Sequence, residues 1–149
     1  MRISDYLDSR FITFLDCETR NEAIHALIDL LDEKGHLPNK ELFQKAIFER
    51  ENLISTGIGM GVAVPHAKLK DFKRFMIAIG IQKKKGIDWN ALDKAPVRLI
   101  FMIAGPDERQ SEYLQILSLL TSAIRDVDLR KQLLSAESAQ EVFSLFSHF

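Results

Sequence analysis

FMIAIGI (Phe75–Ile81) and VRLIFMIA (Val97–Ala104) are almost unbroken apolar runs, both shorter than an ordinary helix and carried by Ile, Val, Met and Phe. A strand with one wet face alternates apolar with polar residues, whereas a strand covered on both faces does not. These two runs therefore read as central strands, and a sheet built on them needs helices on both faces. The rest of the chain supplies them. FITFLD (Phe11–Asp16) reads as a first strand. Thr19 and Glu22 then form a capping box, Ala23, Ile24, Leu27, Ile28 and Leu31 make a helical stripe, and Gly35 closes it. A second helix starts near Asn39, with Leu42, Phe43, Ala46 and Ile47 facing inward. Lys83–Asn90, with Gly86, reads as a turn or a short edge strand. The tail is helical: Ser111 caps a stripe of Leu114, Leu117, Leu120, Thr121 and Ile124, and a Ser138/Glu141 box precedes Val142, Leu145 and Phe146. The expected fold is α/β, a three-layer α/β/α arrangement with a mixed β-sheet flanked by helices. With no repeat, low-complexity stretch or linker, residues 1–149 read as a single domain.

Charge and cysteine content exclude several classes. The net charge is -1, from 20 basic and 21 acidic residues, so no overall field points to nucleic acid or an anionic membrane. Lys68, Lys70, Lys73 and Arg74, and again Lys83–Lys85, read as solvated faces or turns; their functional reading is a rim for an acidic patch on a protein partner. Cys17 is the only cysteine, which rules out a disulfide framework or a cysteine zinc site within one chain. MRISDYLDSR has no apolar signal core, and the apolar runs fall far short of the roughly 20 residues a membrane span needs. A soluble, cytoplasmic chain is expected, without direct membrane insertion.

The chemistry concentrates in STGIGMGVAVPHAK (Ser55–Lys68), where Gly57, Gly59 and Gly61 precede Pro65 and His66. The stretch has no GxxxxGK[ST] pattern, Val62 stands where a dinucleotide fingerprint requires glycine, and GxSxG is absent. His66 has no histidine at i+4 and no nearby cysteine, so neither a metal nor another cofactor is expected. Alternate glycines allow backbone amides to converge on an anion, and Pro65 stiffens the approach to His66. A neutral imidazole with an ordinary pKa of ~6.5 is a good nucleophile for phosphoryl transfer. Arg50 shares a helix side with Phe43, Ala46 and Ile47. Two readings of it stand: a charge complementing the helix C-terminus, or a cation aimed at an anion site. The Ser55 and Thr56 hydroxyls are further candidate donors. The plain alternative is a glycine-rich turn carrying a surface histidine. His25 reads as a boundary residue, His36 as loop and His148 as part of a frayed end.

RENLISTGIGMGVAVPHAKL (Arg50–Leu69) resembles the active-site segment of the fructose/mannitol-type (type 2) EIIA domains of the bacterial phosphotransferase system, whose nitrogen-regulatory members carry a similar segment. GIDWNALDKAPVRLIFMIAGP (Gly86–Pro106) resembles the strand region that follows. The resemblance implies a phosphohistidine carrier. His66 would be the phosphoryl acceptor, Arg50 the phosphate-stabilising arginine, and Ser55, Thr56, Gly57, Gly59, Gly61 and Pro65 the phosphate-binding loop. The implied partners are an HPr-like phosphocarrier and an EIIB domain or a regulated target protein, the nitrogen-regulatory branch being favoured. In the family a second histidine stands where this chain has Tyr113, which can donate a hydrogen bond but cannot become cationic near neutral pH. That departure keeps open a second reading, an EIIA-like regulatory module that signals by contact with little phosphotransfer. Ile58, Met60 and Val62 are expected to meet the carrier protein.

Overall fold

The computed structural model describes residues 1–149. Six strands, β1 (Ile12–Leu15), β2 (Gly57–Gly59), β3 (Val62–Ala63), β4 (His66–Lys68), β5 (Met76–Gln82) and β6 (Leu99–Gly105), form one sheet in the order β1-β5-β6-β3-β2, with β4 also paired to β6. The sheet is mixed: β1 runs parallel to β5, β5 antiparallel to β6, and both β3 and β4 parallel to β6. Side-chain alternation divides the two central strands between two cores. Ile77, Ile79, Ile81, Leu99, Phe101 and Ile103 enter one, while Met76, Ala78, Ile100, Met102 and Ala104 enter the other.

Helices α1 (Arg20–Glu33) and α2 (Lys40–Leu53) cover the second face, where Ile24, Leu27, Phe43 and Ile47 pack. Helices α3 (Gln110–Ile124), α4 (Val127–Ser135) and α5 (Ala139–Leu145) cover the first. This is the expected α/β/α layering. Helix α1 starts as its sequence dictates, with the Thr19 hydroxyl accepting from Glu22 N–H. Its Glu22 carboxylate reaches Glu18 N–H, one residue before the cap. The Gly35 end is a Schellman motif: at φ +73, Gly35 N–H donates to Asp32 O and His36 N–H to Leu31 O.

Three expectations need correction. Leu42 is 45% exposed, because the buried line of α2 runs Phe43, Ile47, Glu51. Ser111 is not a cap. Helix α3 begins two residues earlier, after Arg109, whose side chain makes no capping bond. The buried face of α3 is Tyr113, Ile116, Leu120, Ala123 and Ile124, leaving Leu114 exposed. Between β5 and β6, only a single Ile87–Val97 bridge forms.

Candidate functional site

His66 lies on β4 opposite Ile103. Its neighbour Ala67 belongs to the core under α1 and α2, so His66 and Lys68 leave the strand on the other side, toward α3. Pro65 sits between β3 and β4, at a position where it has no N–H to offer the ladder; its carbonyl accepts from Ile103 N–H instead. The His66 Nδ1 atom is 3.0 Å from the Val64 carbonyl. A carbonyl can only accept, so Nδ1 carries the proton and Nε2 keeps its lone pair. Burial pushes the His66 pKa below its usual value, and the Arg50 and Lys68 charges push the same way, against the Val64 bond and Glu51. The ring is neutral at neutral pH.

Arg50 is in the last turn of α2, and its Nη1 donates to the Ile54 carbonyl at 2.9 Å. It therefore caps a free carbonyl beyond the helix end, and its charge also reaches His66 and Tyr113. The bond to Ile54 is the first of the two readings of Arg50, a charge complementing the helix C-terminus. The residue that sequence reasoning missed is Glu51. Only 2% exposed, it continues the apolar line of α2 and has no cation in hydrogen-bond contact. One carboxylate oxygen accepts Thr56 N–H at 2.7 Å; the other accepts the Thr56 hydroxyl at 2.6 Å and Trp89 Nε1–H at 3.2 Å. The i, i+4 spacing from Phe43 through Ile47 is the signal that could have found it.

The glycine stretch forms a hairpin, with β2 antiparallel to β3. Gly59, Met60 and Gly61 have φ of +94, +61 and +75, a run of left-handed backbone that needs glycine on both sides of Met60. Amide donors of the stretch are already used: Thr56 N–H goes to Glu51, Gly57 N–H to the Ser55 hydroxyl and Met60 N–H to Asp93. The Ser55 hydroxyl donates to the Trp89 carbonyl at 2.6 Å, and the Thr56 hydroxyl to Glu51. In this structure Ser55 and Thr56 hold the loop in shape, and neither offers a free hydroxyl proton. At Gly57 a Cβ would come within 2.8 Å of the Ala91 Cβ. Ile58 and Met60 are exposed at the hairpin, as a contact role requires, but Val62 is fully buried.

Tyr113 lies in the first turn of α3 and is 5% exposed. Its ring centre is 5.4 Å from that of His66 and 6.3 Å from that of Phe75. Burial raises its pKa, against the Arg50 charge, so the phenol stays protonated near neutral pH. Lys68 Nζ lies 4.3 Å from the Tyr113 ring centre. Lys68 is half-buried, whereas Lys70, Lys73 and Arg74 are solvated, as expected. The structure thus brings His66, Arg50, Lys68 and Tyr113 to one place, with Glu51, Ser55, Thr56 and Trp89 fixing the loop beside it. The other histidines lie elsewhere: His25 stacks on Phe48 and His36 meets Phe11 edge-on.

The sequence as a whole matches a known family. The model of the phosphoenolpyruvate-dependent sugar phosphotransferase system EIIA 2 family matches residues 5–149. The chain belongs to this family. It is 37% identical over 124 residues to the fructose-specific EIIA component of Haloferax volcanii, covering 83% of this chain and 80% of that one. Against the fructose-specific EIIABC component of Bacillus subtilis the identity is 34% over 148 residues, 99% of this EIIA-family chain but 23% of the longer protein. The crystal structure of the nitrogen regulatory protein IIA-Ntr from Neisseria meningitidis superimposes with a TM-score of 0.88 at 28% identity, covering 97% of this chain and 99% of that one. No helix here is long and apolar enough to cross a membrane.

Proposed function

We propose that this chain is a cytoplasmic phosphohistidine carrier of a phosphotransferase system. His66 accepts a phosphoryl group from an HPr-type phosphocarrier and passes it to an EIIB-type domain, or signals by its phosphorylation state. The observation that carries this reading is the bond from Nδ1 to the Val64 carbonyl, which leaves Nε2 as the nucleophile. In the transfer, the Nε2 lone pair forms a bond to phosphorus, and the bond from phosphorus to the donor's nitrogen breaks with its electron pair returning to the donor. The His66 ring keeps its Nδ1 proton and takes up the positive charge. The Val64 carbonyl stabilises that charge, and a cationic ring is a good leaving group for onward transfer. Catalysis then consists of positioning and charge, which Arg50 supplies to the oxygens in flight.

The surroundings suit a protein partner. Leu53 and Leu92 are 82% and 96% exposed, and with Ile54 and Ile58 they line a cleft beside the end of α2. Free-standing relatives include both a fructose-specific EIIA component and nitrogen regulatory proteins, among them that of Escherichia coli, 30% identical over 131 residues. The superposition on the nitrogen regulatory structure, at a TM-score of 0.88, supports the regulatory branch.

The test is phosphorylation in vitro with phosphoenolpyruvate, enzyme I and HPr or their nitrogen-type equivalents, read by intact mass. The wild-type chain should gain one acid-labile phosphate and the His66→Ala chain none. A wild-type chain that gains none from either donor set would instead act by contact alone.

A further inference from the structure

Arg50 is not the only cation at His66. Lys68 lies two residues along β4, so its side chain leaves the strand on the same face. It is held there by two weak partners, the face of the Tyr113 ring at 4.3 Å and the side-chain oxygen of Gln110. Tyr113 in turn packs 5.4 Å from the imidazole. The chain's ion pairs involve Arg10, Lys40, Lys45, Lys84 and Arg109. Lys68 and Arg50 are in none of them; their hydrogen-bond partners are a neutral amide and a neutral carbonyl. An ammonium with no carboxylate partner is open to pairing with an arriving anion.

The phosphoryl oxygens give such a group something to bind. A phosphoryl group near neutral pH carries a charge of about −1.5 to −2, and until the His66 ring takes up its positive charge one guanidinium neutralises only part of it. Tyr113 is neutral and adds at most a hydrogen bond. The four-carbon stem of Lys68 lets its ammonium swing away from Gln110 without moving the backbone.

We infer that Lys68 is a second phosphate-binding cation of this site, positioned by the Tyr113 ring and directed at the phosphoryl group on His66. The inference rests on the carrier reading above. Arg50 approaches from α2 and Lys68 from β4, so the group is held by two independent elements of the fold. Gln110 holds the ammonium beside the Tyr113 ring.

The test compares wild type with Lys68→Gln and Lys68→Arg, following phosphate uptake by intact mass and the His66 pKa by NMR. Lys68→Gln keeps a polar side chain but removes the charge, and should slow uptake by about 10- to 100-fold. It should also raise the His66 pKa, because a neighbouring positive charge has gone. Lys68→Arg should return both toward wild type. Uptake by Lys68→Gln at the wild-type rate would overturn the inference, as would a Lys68→Arg chain equally slow. A wild-type chain that takes no phosphate would instead remove the carrier reading, and this inference with it.

Discussion

His66 is held neutral by burial and by its two cationic neighbours. Protonation therefore has consequences for both stability and function. Its folded-state pKa is depressed, so below the ordinary value of ~6.5 the unfolded chain binds a proton that the folded chain resists. Its contribution to stability is complete above that pH and is lost as acid is added. Thermal melts between neutral pH and pH 5 should show wild type losing more stability than His66→Ala. Phosphate uptake should fall in the same direction, since a protonated Nε2 has no lone pair. Arg50 should be the more demanding contact: Arg50→Gln should slow uptake by about 100-fold or more. Arg50→Lys should recover only part of that, because one ammonium cannot both bond the Ile54 carbonyl and fork onto phosphate oxygens. Single-turnover uptake rates for the two variants decide the point.

At the scale of elements, the loop before His66 is set by a carboxylate buried under it. Glu51 receives Thr56 N–H, the Thr56 hydroxyl and Trp89 Nε1–H, tying the end of α2 to the β2–β3 hairpin and to the segment before β6. Thr56→Val removes the hydroxyl from this cluster and should cost about 1–3 kcal/mol, measured by chemical denaturation. Because Trp89 is the single tryptophan and donates to the same oxygen, its emission should shift in that variant. An unchanged spectrum and midpoint would mean the cluster does not fix the loop. Little of this was legible in the sequence. Glycines 57, 59 and 61 announced a backbone with special freedom, but an anion nest and a hairpin need the same residue type. What separates them is Asp93, more than thirty residues away, which takes the Met60 amide. The spacing Phe43, Ala46, Ile47 carries forward to Arg50 in the sequence, yet the buried line's next step falls on Glu51. A charged residue at a core position is invisible to apolar periodicity.

For the whole molecule, the layer order was legible because β5 and β6 are apolar on both faces, a pattern that forces helices onto each side. Strands of two or three residues such as β2, β3 and β4 carry no pattern of their own; β3 and β4 are placed by pairing with β6, and β2 by pairing with β3. The close fit at that strand is itself testable. Gly105 pairs with Lys68, and a Cβ there would lie 2.0 Å from the Phe75 ring. Gly105→Ala should destabilise the fold by about 1–3 kcal/mol through overpacking. It should also slow phosphate uptake, since the displaced end of β6 pairs with β4, which carries both His66 and Lys68. Phosphate uptake rests on one tautomer: the fold holds the Nδ1 proton on the Val64 carbonyl, so that Nε2 is the reacting atom. Imidazole 1H–15N correlation spectra of the 15N-labelled, phosphorylated chain address it directly. Phosphorus is expected on His66 Nε2, with Nδ1 still protonated. Phosphorus on His66 Nδ1, or on His25, His36 or His148, would contradict it.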